Sequence, residues 1–125
     1  MFKIKFASEE DLKYIKEIAD YFKLPFSVDL SKCINMIATD EKPFGFITIK
    51  VYDDMAYIIG HAVLPEYQMK GYGTMLLKVA LNNVYDFGIK KACIKHSKFD
   101  DFYIKNHFER LEDILYVDIE ELFKK

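Results

Sequence analysis

Residues 63–77 carry the sequence VLPEYQMKGYGTMLL, in which a strand pattern gives way to a helical one. Pro65 prevents the strand from continuing, and a loop with Gly71 and Gly73 leads into an apolar helix. Glycines let the backbone approach a ligand closely, and the first turn of a helix presents unpaired N–H groups with a partial positive charge. The stretch therefore predicts a site that binds phosphate or pyrophosphate.

Two widespread nucleotide-binding loops do not fit these residues. A Walker A loop needs a Gly-x-x-x-x-Gly-Lys-Ser/Thr run, which the stretch lacks. A dinucleotide fingerprint would place a third glycine or alanine where the chain has Leu76, and it would normally follow the first strand of a βαβ unit. Neither of these two patterns is therefore predicted.

The strand that leads into the loop is half of a predicted hairpin. Two strongly apolar stretches, Phe44 to Tyr52 and Met55 to Val63, are joined by the pair Asp53-Asp54, which is typical of a tight turn. They are the longest apolar strands of the chain, so we expect them at the centre of the sheet.

The remaining segments alternate between strands and helices. Further strands are predicted for residues 2–6, 34–39, 91–96 and 114–119, and helices for residues 8–23, 74–87 and 100–106. Residues 27–32 fit either a short helix or a loop. This order predicts an α/β domain with a mixed sheet.

Composition and charge exclude several classes of protein. A chain of 125 residues is long enough for one domain with its own core, and we expect a single domain over residues 1–125. The net charge of -2 provides no basic surface for nucleic acid. No apolar run reaches the ~20 residues of a membrane span and no signal-peptide pattern is present, so we expect a cytoplasmic protein without a membrane partner. Two cysteines, Cys33 and Cys93, are too few for a zinc site, and no metal is predicted.

Two motifs resemble those of the GNAT superfamily of N-acyltransferases. The first, Gln68-x-x-Gly71-x-Gly73, follows a Val-x-Pro strand end and precedes an apolar helix, as the acetyl-CoA loop of that family does. The second, FYIKNHF at residues 102–108, is similar to the family's Phe-Tyr-x-Lys-x-Gly-Phe. The resemblance covers essentially the whole chain. It implies the GNAT fold, in which helices flank a mixed, mostly antiparallel sheet, and it implies acetyl-CoA as the cosubstrate.

The resemblance also implies roles for individual residues. Backbone N–H groups of the loop would hold the pyrophosphate of coenzyme A, and the end of the preceding strand would pair with the pantetheine arm. A backbone N–H near Val63 would polarise the thioester carbonyl, and Tyr103 matches the tyrosine that protonates the departing thiolate. The residues implied to bind the cosubstrate are Val63, Leu64, Gln68, Met69, Lys70, Gly71, Tyr72, Gly73 and Thr74.

One catalytic position departs from the family pattern. The family's general base, a glutamate on the fourth strand, corresponds to Tyr57, and a phenol is a poor base at neutral pH. His61 lies four residues further on, which regular alternation places on the same strand face. We hypothesise that His61, or water held by Tyr57 and His61, removes the amine proton. Alternatively, the amine arrives neutral and needs no dedicated base.

Two further departures concern the other histidines. His96 stands where many relatives carry an asparagine that contacts the pantetheine arm, and we expect it at a polar strand end. His107 replaces the usual glycine after the second motif's helix, so the turn there is expected to differ locally.

The functional prediction is an N-acetyltransferase that moves the acetyl group of acetyl-CoA to a primary amine of a small molecule or peptide, by direct attack in a ternary complex. The alternative is a non-catalytic GNAT-fold protein that binds acyl-CoA, because the glutamate is missing. The segment between the first helix and the second strand, residues 24–33, is short. It predicts an open acceptor site or one completed by a second subunit, so a homodimer is a further expectation.

Overall fold

A computed structural model of the chain describes residues 2–24 and 33–124. The predicted ambiguous segment at residues 27–32 lies outside the described residues. In chain order the elements are β1 (Lys3–Phe6), α1 (Leu12–Tyr21), β2 (Cys33–Thr39), β3 (Pro43–Tyr52), β4 (Met55–Val63), α2 (Tyr72–Asp86), β5 (Lys91–Lys95), α3 (Asp100–Lys105), β6 (Glu109–Leu111), β7 (Ile114–Asp118) and α4 (Ile119–Lys124). Short 3-10 turns cover Glu9–Asp11 and Pro65–Tyr67.

The strands form one seven-stranded sheet in the order β1-β2-β3-β4-β5-β7-β6. Every neighbouring pair is antiparallel except β4 and β5, which are parallel and are connected by the α2 crossover. The predicted mixed and mostly antiparallel sheet is therefore confirmed. The predicted hairpin, β3 and β4, lies at its centre.

The β3–β4 hairpin contains both a tight turn and an irregularity. Asp53 and Asp54 have φ angles of 52° and 63°, the left-handed conformation that a two-residue hairpin turn requires. Further along, Thr48 pairs with Gly60 but Ile49 pairs with Ile58. The residue between them, Ile59, is therefore an extra residue in β4, a β-bulge.

The buried core consists of two clusters, one on each face of the sheet. Helix α2 packs on one face through its apolar side and contributes Leu76, Leu77, Ala80, Leu81 and Val84. Helix α1 packs on the other face with Ile15, Ile18 and Ala19, which meet Ile37 and Phe46. The sheet is thus sandwiched between helices, and the loop before α2 crosses its edge where β4 ends.

Two elements were not predicted from the sequence. The three-residue strand β6 pairs with β7, and the helix α4 begins at Ile119, where the predicted last strand was to end. The strand ends one residue earlier, at Asp118, whose carboxylate accepts a hydrogen bond from the Glu121 N–H at 3.2 Å and so starts the helix.

Candidate active site

The first turn of α2 presents free backbone donors. Gly71 is the N-cap of this 15-residue helix and has a φ of 86°, a conformation that favours glycine. Tyr72, Gly73 and Thr74 follow as the first three helical residues, and N–H groups at these positions have no acceptor within a helix. Together with the partial positive charge of the helix start, these N–H groups have the chemical character of the anion site that the sequence predicts.

Aromatic stacking and one side-chain bond hold the loop in place. The Tyr67 ring stacks on Phe44 of β3 at 3.9 Å between centroids, and Tyr72 meets the same Phe44 ring edge-on at 4.9 Å. The Gln68 side chain donates from Nε2 to the Val63 carbonyl oxygen at 2.7 Å. The loop is therefore tied to the end of β4 before any ligand binds.

A groove opens between the two parallel strands. β4 and β5 pair at three positions only, which end with Tyr57 opposite Cys93. The bulge at Ile59 lies two residues further along β4, and a bulge bends its strand and increases the local twist. The later part of β4 therefore has a backbone edge without a strand partner among the described residues.

Val63 is the residue whose backbone faces this groove. The Leu64 N–H donates to the Phe44 carbonyl of β3 at 2.8 Å, and the Leu64 carbonyl accepts the Tyr67 N–H at 2.9 Å. Backbone groups alternate sides along a strand, so the Val63 N–H and carbonyl point away from β3 and towards the groove. The backbone of Leu64 is thus fully engaged, whereas that of Val63 borders the opening.

His61 connects the start of α2 to α3. Its Nε2 atom lies 3.0 Å from the Gly73 carbonyl oxygen, and its Nδ1 atom lies 2.8 Å from the Tyr103 hydroxyl oxygen. Phe102 packs edge-on against the imidazole at 5.5 Å between ring centroids. Three separate elements, β4, α2 and α3, therefore meet at one side chain.

Burial determines the protonation of both hydrogen-bonded side chains. It lowers the pKa of His61 to about 4, although the bond to the Gly73 carbonyl acts in the opposite direction. Burial also raises the pKa of the Tyr103 hydroxyl well above its usual value, since this side chain is only 4% exposed. At neutral pH the imidazole and the phenol are both uncharged.

A cavity of about 380 Å³ joins these features. The start of α2 and the His61–Tyr103 pair, which are in contact through Gly73, both line it, together with mostly apolar side chains. The remaining lining residues come from the end of α1, the end of β4, the loop and α3: Phe22, Leu24, Ala62, Val63, Tyr67, Gln68, Met69, Gly71, Tyr72, Gly73, Thr74, Phe99 and Phe102. A ligand that carries both an anionic group and an apolar part fits a cavity of this composition.

Comparison with protein families decides the assignment. The model of the Acetyltransferase (GNAT) family matches residues 3–107, which is most of the chain. The chain belongs to the GNAT acetyltransferase family. It is accordingly an acyltransferase whose cosubstrate is acetyl-CoA.

Solved structures of other GNAT proteins share the fold. The Paia N-acetyltransferase of Thermoplasma acidophilum, in complex with coenzyme A, has a TM-score of 0.81 at 19% identity, with 94% of this chain and 99% of that chain covered. The ribosomal-protein-S18-alanine N-acetyltransferase of Escherichia coli has a TM-score of 0.77 at 19% identity, with 95% and 94% covered. The N-acetylglutamate synthase of Neisseria gonorrhoeae, complexed with coenzyme A and N-acetyl-glutamate, has a TM-score of 0.81 at 16% identity, with 95% and 35% covered. No curated protein sequence matches the chain.

Most of the predicted cosubstrate residues line the cavity of this GNAT domain. The exceptions are Leu64, which packs into the core, and Lys70, which points to solvent. Met69 is fully exposed, with a φ of 65°. The Gln68 side chain donates a hydrogen bond to the Val63 carbonyl within the protein.

The predicted catalytic residues are only partly brought together. Tyr103 and His61 are in contact, but the prediction that Tyr57 and His61 share a strand face is wrong. His61 pairs with Ile47, on the face of β3 that points to α2, whereas Tyr57 pairs with Lys50 and is 39% exposed on the opposite face. The bulge at Ile59 shifts the alternation by one residue. Water held jointly by Tyr57 and His61 is therefore excluded, and both His61 ring nitrogens already have partners.

Sequence reasoning missed the aromatic and apolar wall of the cavity. Phe22 and Leu24 follow α1, and Phe99 and Phe102 flank the start of α3. Phe102 stands next to Tyr103 in the second motif, and this adjacency was the one available signal. The other three carry no pattern that separates a wall residue from a core residue.

Within residues 2–24 and 33–124, no group of three or more His, Cys, Asp or Glu side chains is placed to hold a metal ion. None of the helices in these ranges is long and apolar enough to cross a membrane.

Proposed function

We propose that this GNAT protein is an N-acetyltransferase that transfers the acetyl group of acetyl-CoA to a primary amine of a small molecule or peptide by direct attack in a ternary complex. One observation carries the proposal. A single cavity is lined by the first turn of α2, whose N–H groups have no acceptor within the helix, and by a hydroxyl that is hydrogen-bonded to an imidazole.

The residues present fit coenzyme A. The N–H groups of Tyr72, Gly73 and Thr74 would hold its pyrophosphate, because they point out of the helix start without internal acceptors. The backbone edge at Val63 would pair with the amides of the pantetheine arm, as an added strand does. For that pairing the Gln68 amide must exchange its bond to the Val63 carbonyl for another partner.

The acetyl thioester supplies an activated acyl group, and the protein supplies positions and protons. The Val63 N–H would stabilise the negative charge that develops on the carbonyl oxygen during attack. Tyr103 would donate a proton to the sulfur as the carbon–sulfur bond breaks. Its neutral, buried hydroxyl suits this role, because a phenol that stays protonated at neutral pH has a proton to give.

The acceptor is proposed to be an amine with an apolar neighbourhood. Relatives of known structure are named for amine acceptors, among them the alanine of ribosomal protein S18. In this chain Phe22, Leu24 and Phe99 line the same cavity as His61 and Tyr103. Apolar walls favour an acceptor in which the attacking nitrogen is flanked by hydrocarbon, since burial of apolar surface is favourable.

The test has a binding stage and a turnover stage. Calorimetric titration with coenzyme A and with pantetheine, which lacks the pyrophosphate, should show binding that is about tenfold or more weaker for pantetheine. Incubation with acetyl-CoA and a panel of primary amines should release free thiol in step with amine acetylation. Absence of binding to coenzyme A at millimolar concentration would refute the proposal.

Gly71 and Gly88, which flank α2 at its two ends, provide a matched pair of variants. Gly71→Ala places a Cβ at a φ of 86°, and Gly88→Ala does so at 94°, where no atom lies within 4 Å. A left-handed conformation costs a non-glycine residue roughly 1–2 kcal/mol, so both variants should be less stable by a similar amount. Only Gly71→Ala should also weaken coenzyme A binding, because Gly88 lies at the far end of the helix.

A second candidate function is binding of acyl-CoA without turnover. Tyr57, in place of the family's glutamate, lies on the strand face opposite His61 and outside the cavity lining. Tight binding of acetyl-CoA with no thiol release for any amine of the panel would favour this candidate.

A further inference from the structure

The hydrogen-bond partners of His61 determine which atoms of the His61–Tyr103 pair carry the hydrogens. A carbonyl oxygen only accepts, so His61 Nε2 must carry the hydrogen that bonds to Gly73 at 3.0 Å. In the neutral imidazole Nδ1 then has a lone pair, and the Tyr103 hydroxyl must donate to it across 2.8 Å. In the resting protein the Tyr103 proton therefore points to His61 and not into the cavity.

This orientation limits what Tyr103 can do alone. The phenol oxygen offers lone pairs to the cavity, and it can take a proton there only if it gives its own proton away at the same time. Ionisation to a free phenolate is unfavourable at this buried position. His61 Nδ1 is the acceptor placed to receive that proton.

We propose that His61 is a positioning residue that works through Tyr103 and stores one proton during acetyl transfer. The inference rests on the proposed N-acetyltransferase function. It replaces direct removal of the amine proton by His61 with a relay in which only Tyr103 meets the substrates.

The relay is balanced in atoms and charge. As the amine nitrogen bonds to the thioester carbonyl carbon, Tyr103 takes a proton from that nitrogen and passes its own proton to His61 Nδ1. As the carbon–sulfur bond breaks and sulfur keeps the electron pair, Tyr103 gives a proton to sulfur and recovers one from Nδ1. The amine has lost one hydrogen, the thiol has gained one, and both side chains are as they began.

The first turn of α2 takes part through the Gly73 carbonyl. During the relay both ring nitrogens of His61 carry hydrogen, and both still have acceptors, the Tyr103 oxygen and the Gly73 oxygen. The carbonyl fixes Nε2 as the resting donor and so keeps Nδ1 available. The helix turn proposed to bind pyrophosphate thus also sets the tautomer of the imidazole.

His61→Asn separates a proton store from a simple hydrogen-bond acceptor. The Asn side-chain oxygen accepts a bond from Tyr103, but it takes up no proton at neutral pH. We expect kcat for acetyl-CoA and the best amine of the panel to fall about 100-fold, while Kd for coenzyme A stays within about twofold. The control is His107→Asn, an exposed histidine outside the cavity whose φ of 74° suits asparagine.

Double substitution tests whether His61 acts through Tyr103. If it does, His61→Asn combined with Tyr103→Phe should be no slower than Tyr103→Phe alone, because groups that act as a unit are not additive. A double variant that loses the product of the two single losses would overturn the proposal, as would wild-type kcat in His61→Asn. Failure of the wild type to acetylate any amine would instead count against the proposed function.

Ring ¹⁵N chemical shifts give a readout that needs no activity. With coenzyme A absent or bound, His61 should be the Nε2–H tautomer at pH 7, and Tyr103→Phe should shift its Nδ1 resonance by removing the hydrogen bond. The His107 resonances of the same protein serve as the internal reference. An Nδ1–H tautomer for His61 would overturn the relay, whatever the kinetics of the variants.

Discussion

Two histidines in this protein have the same pattern of hydrogen bonds, but their pKa values are shifted in opposite directions. His61 bonds to a side chain of α3, Tyr103, and to the backbone carbonyl of Gly73. His96, at the end of β5, also bonds to a side chain of α3, Asp100, and to the carbonyl of Glu112. Yet the pKa of His61 is lowered to about 4, whereas that of His96 is raised.

The difference shows that the number of partners does not determine the charge of an imidazole. For His61 the main cause is burial, which penalises the charged ring more than the Gly73 carbonyl favours it. For His96 the main cause is the Asp100 carboxylate, with the Glu112 carbonyl second, at a position open to solvent. A neutral ring suits proton relay, whereas a ring whose protonated form is favoured by a carboxylate suits attachment to the start of α3.

The largest expected effect comes from removal of the Tyr103 hydroxyl, which is hydrogen-bonded to His61. Tyr103→Phe should lower kcat roughly 100- to 1,000-fold, because it removes the proposed proton donor to sulfur. Coenzyme A affinity, measured by calorimetry, should be unchanged. The control is Tyr52→Phe, which removes a hydroxyl from a side chain that is 67% exposed. Equal kcat values for the two variants would contradict the role of Tyr103.

The second prediction concerns stability between pH 7 and pH 4. The folded pKa of His61 lies below its unfolded value, so the unfolded chain binds a proton first as the pH falls. The free energy of unfolding should therefore drop from about pH 6.5 to about pH 4, by on the order of 3 kcal/mol. Urea unfolding at several pH values measures this loss. In His61→Asn the corresponding part of the drop should disappear, and an unchanged profile would contradict the burial argument.

The third prediction has the opposite sign and concerns His96. Its folded pKa is raised, so its contribution to stability is fully present below its unfolded pKa and is lost as the pH rises through the folded value. Asp100→Asn keeps an acceptor for the Ser97 N–H but removes the charge beside the imidazole. NMR titration should show a lower pKa for His96 in this variant, with Asp101→Asn as the control. Equal His96 titrations in the two variants would show that the carboxylate is not the cause.

The smallest effect is expected at Arg110, which lies beside the Asp100 partner of His96. Arg110 Nη1 lies 3.3 Å from the Asp100 carboxylate, and its side chain is 59% exposed. Such exposed pairs contribute ~0–1 kcal/mol, so Arg110→Ala should change the free energy of unfolding by less than about 1 kcal/mol. The same variant should raise the pKa of His96 slightly, since the guanidinium opposes protonation of the imidazole. A fall in that pKa would contradict this arrangement.

The central hairpin and the glycine loop could be predicted from the sequence because local chemistry determines them. Asp53 and Asp54 tolerate the left-handed turn, and Gly71 allows the turn into α2. Tyr103 was identified through the residues around it, and the structure places it against His61 as a contact that no local pattern specifies. Tertiary contacts of this kind depend on three elements at once.

The missed strand β6 and the wrong prediction for Tyr57 and His61 also have physical causes. The strand β6 has only three residues, too few to show an alternating pattern. The bulge in β4 has no turn residue to mark it, since Ile59 is as typical of a strand as its neighbours. Strict alternation therefore assigned Tyr57 and His61 to one face. His107 has a left-handed φ of 74°, a conformation that favours glycine, which is the residue that the resemblance implies at this position.

Ile59 has a consequence for the continuity of the sheet. A regular β4 would allow an unbroken ladder of main-chain hydrogen bonds from one edge of the sheet to the other. Pairing with β5 instead stops at Tyr57, two residues before the insertion. Removal of Ile59 would straighten the strand. All the remaining side chains of β4 would stay on the faces that they occupy now. One inserted residue thus determines whether β4 and β5 pair along their full length or leave a groove between them for a ligand.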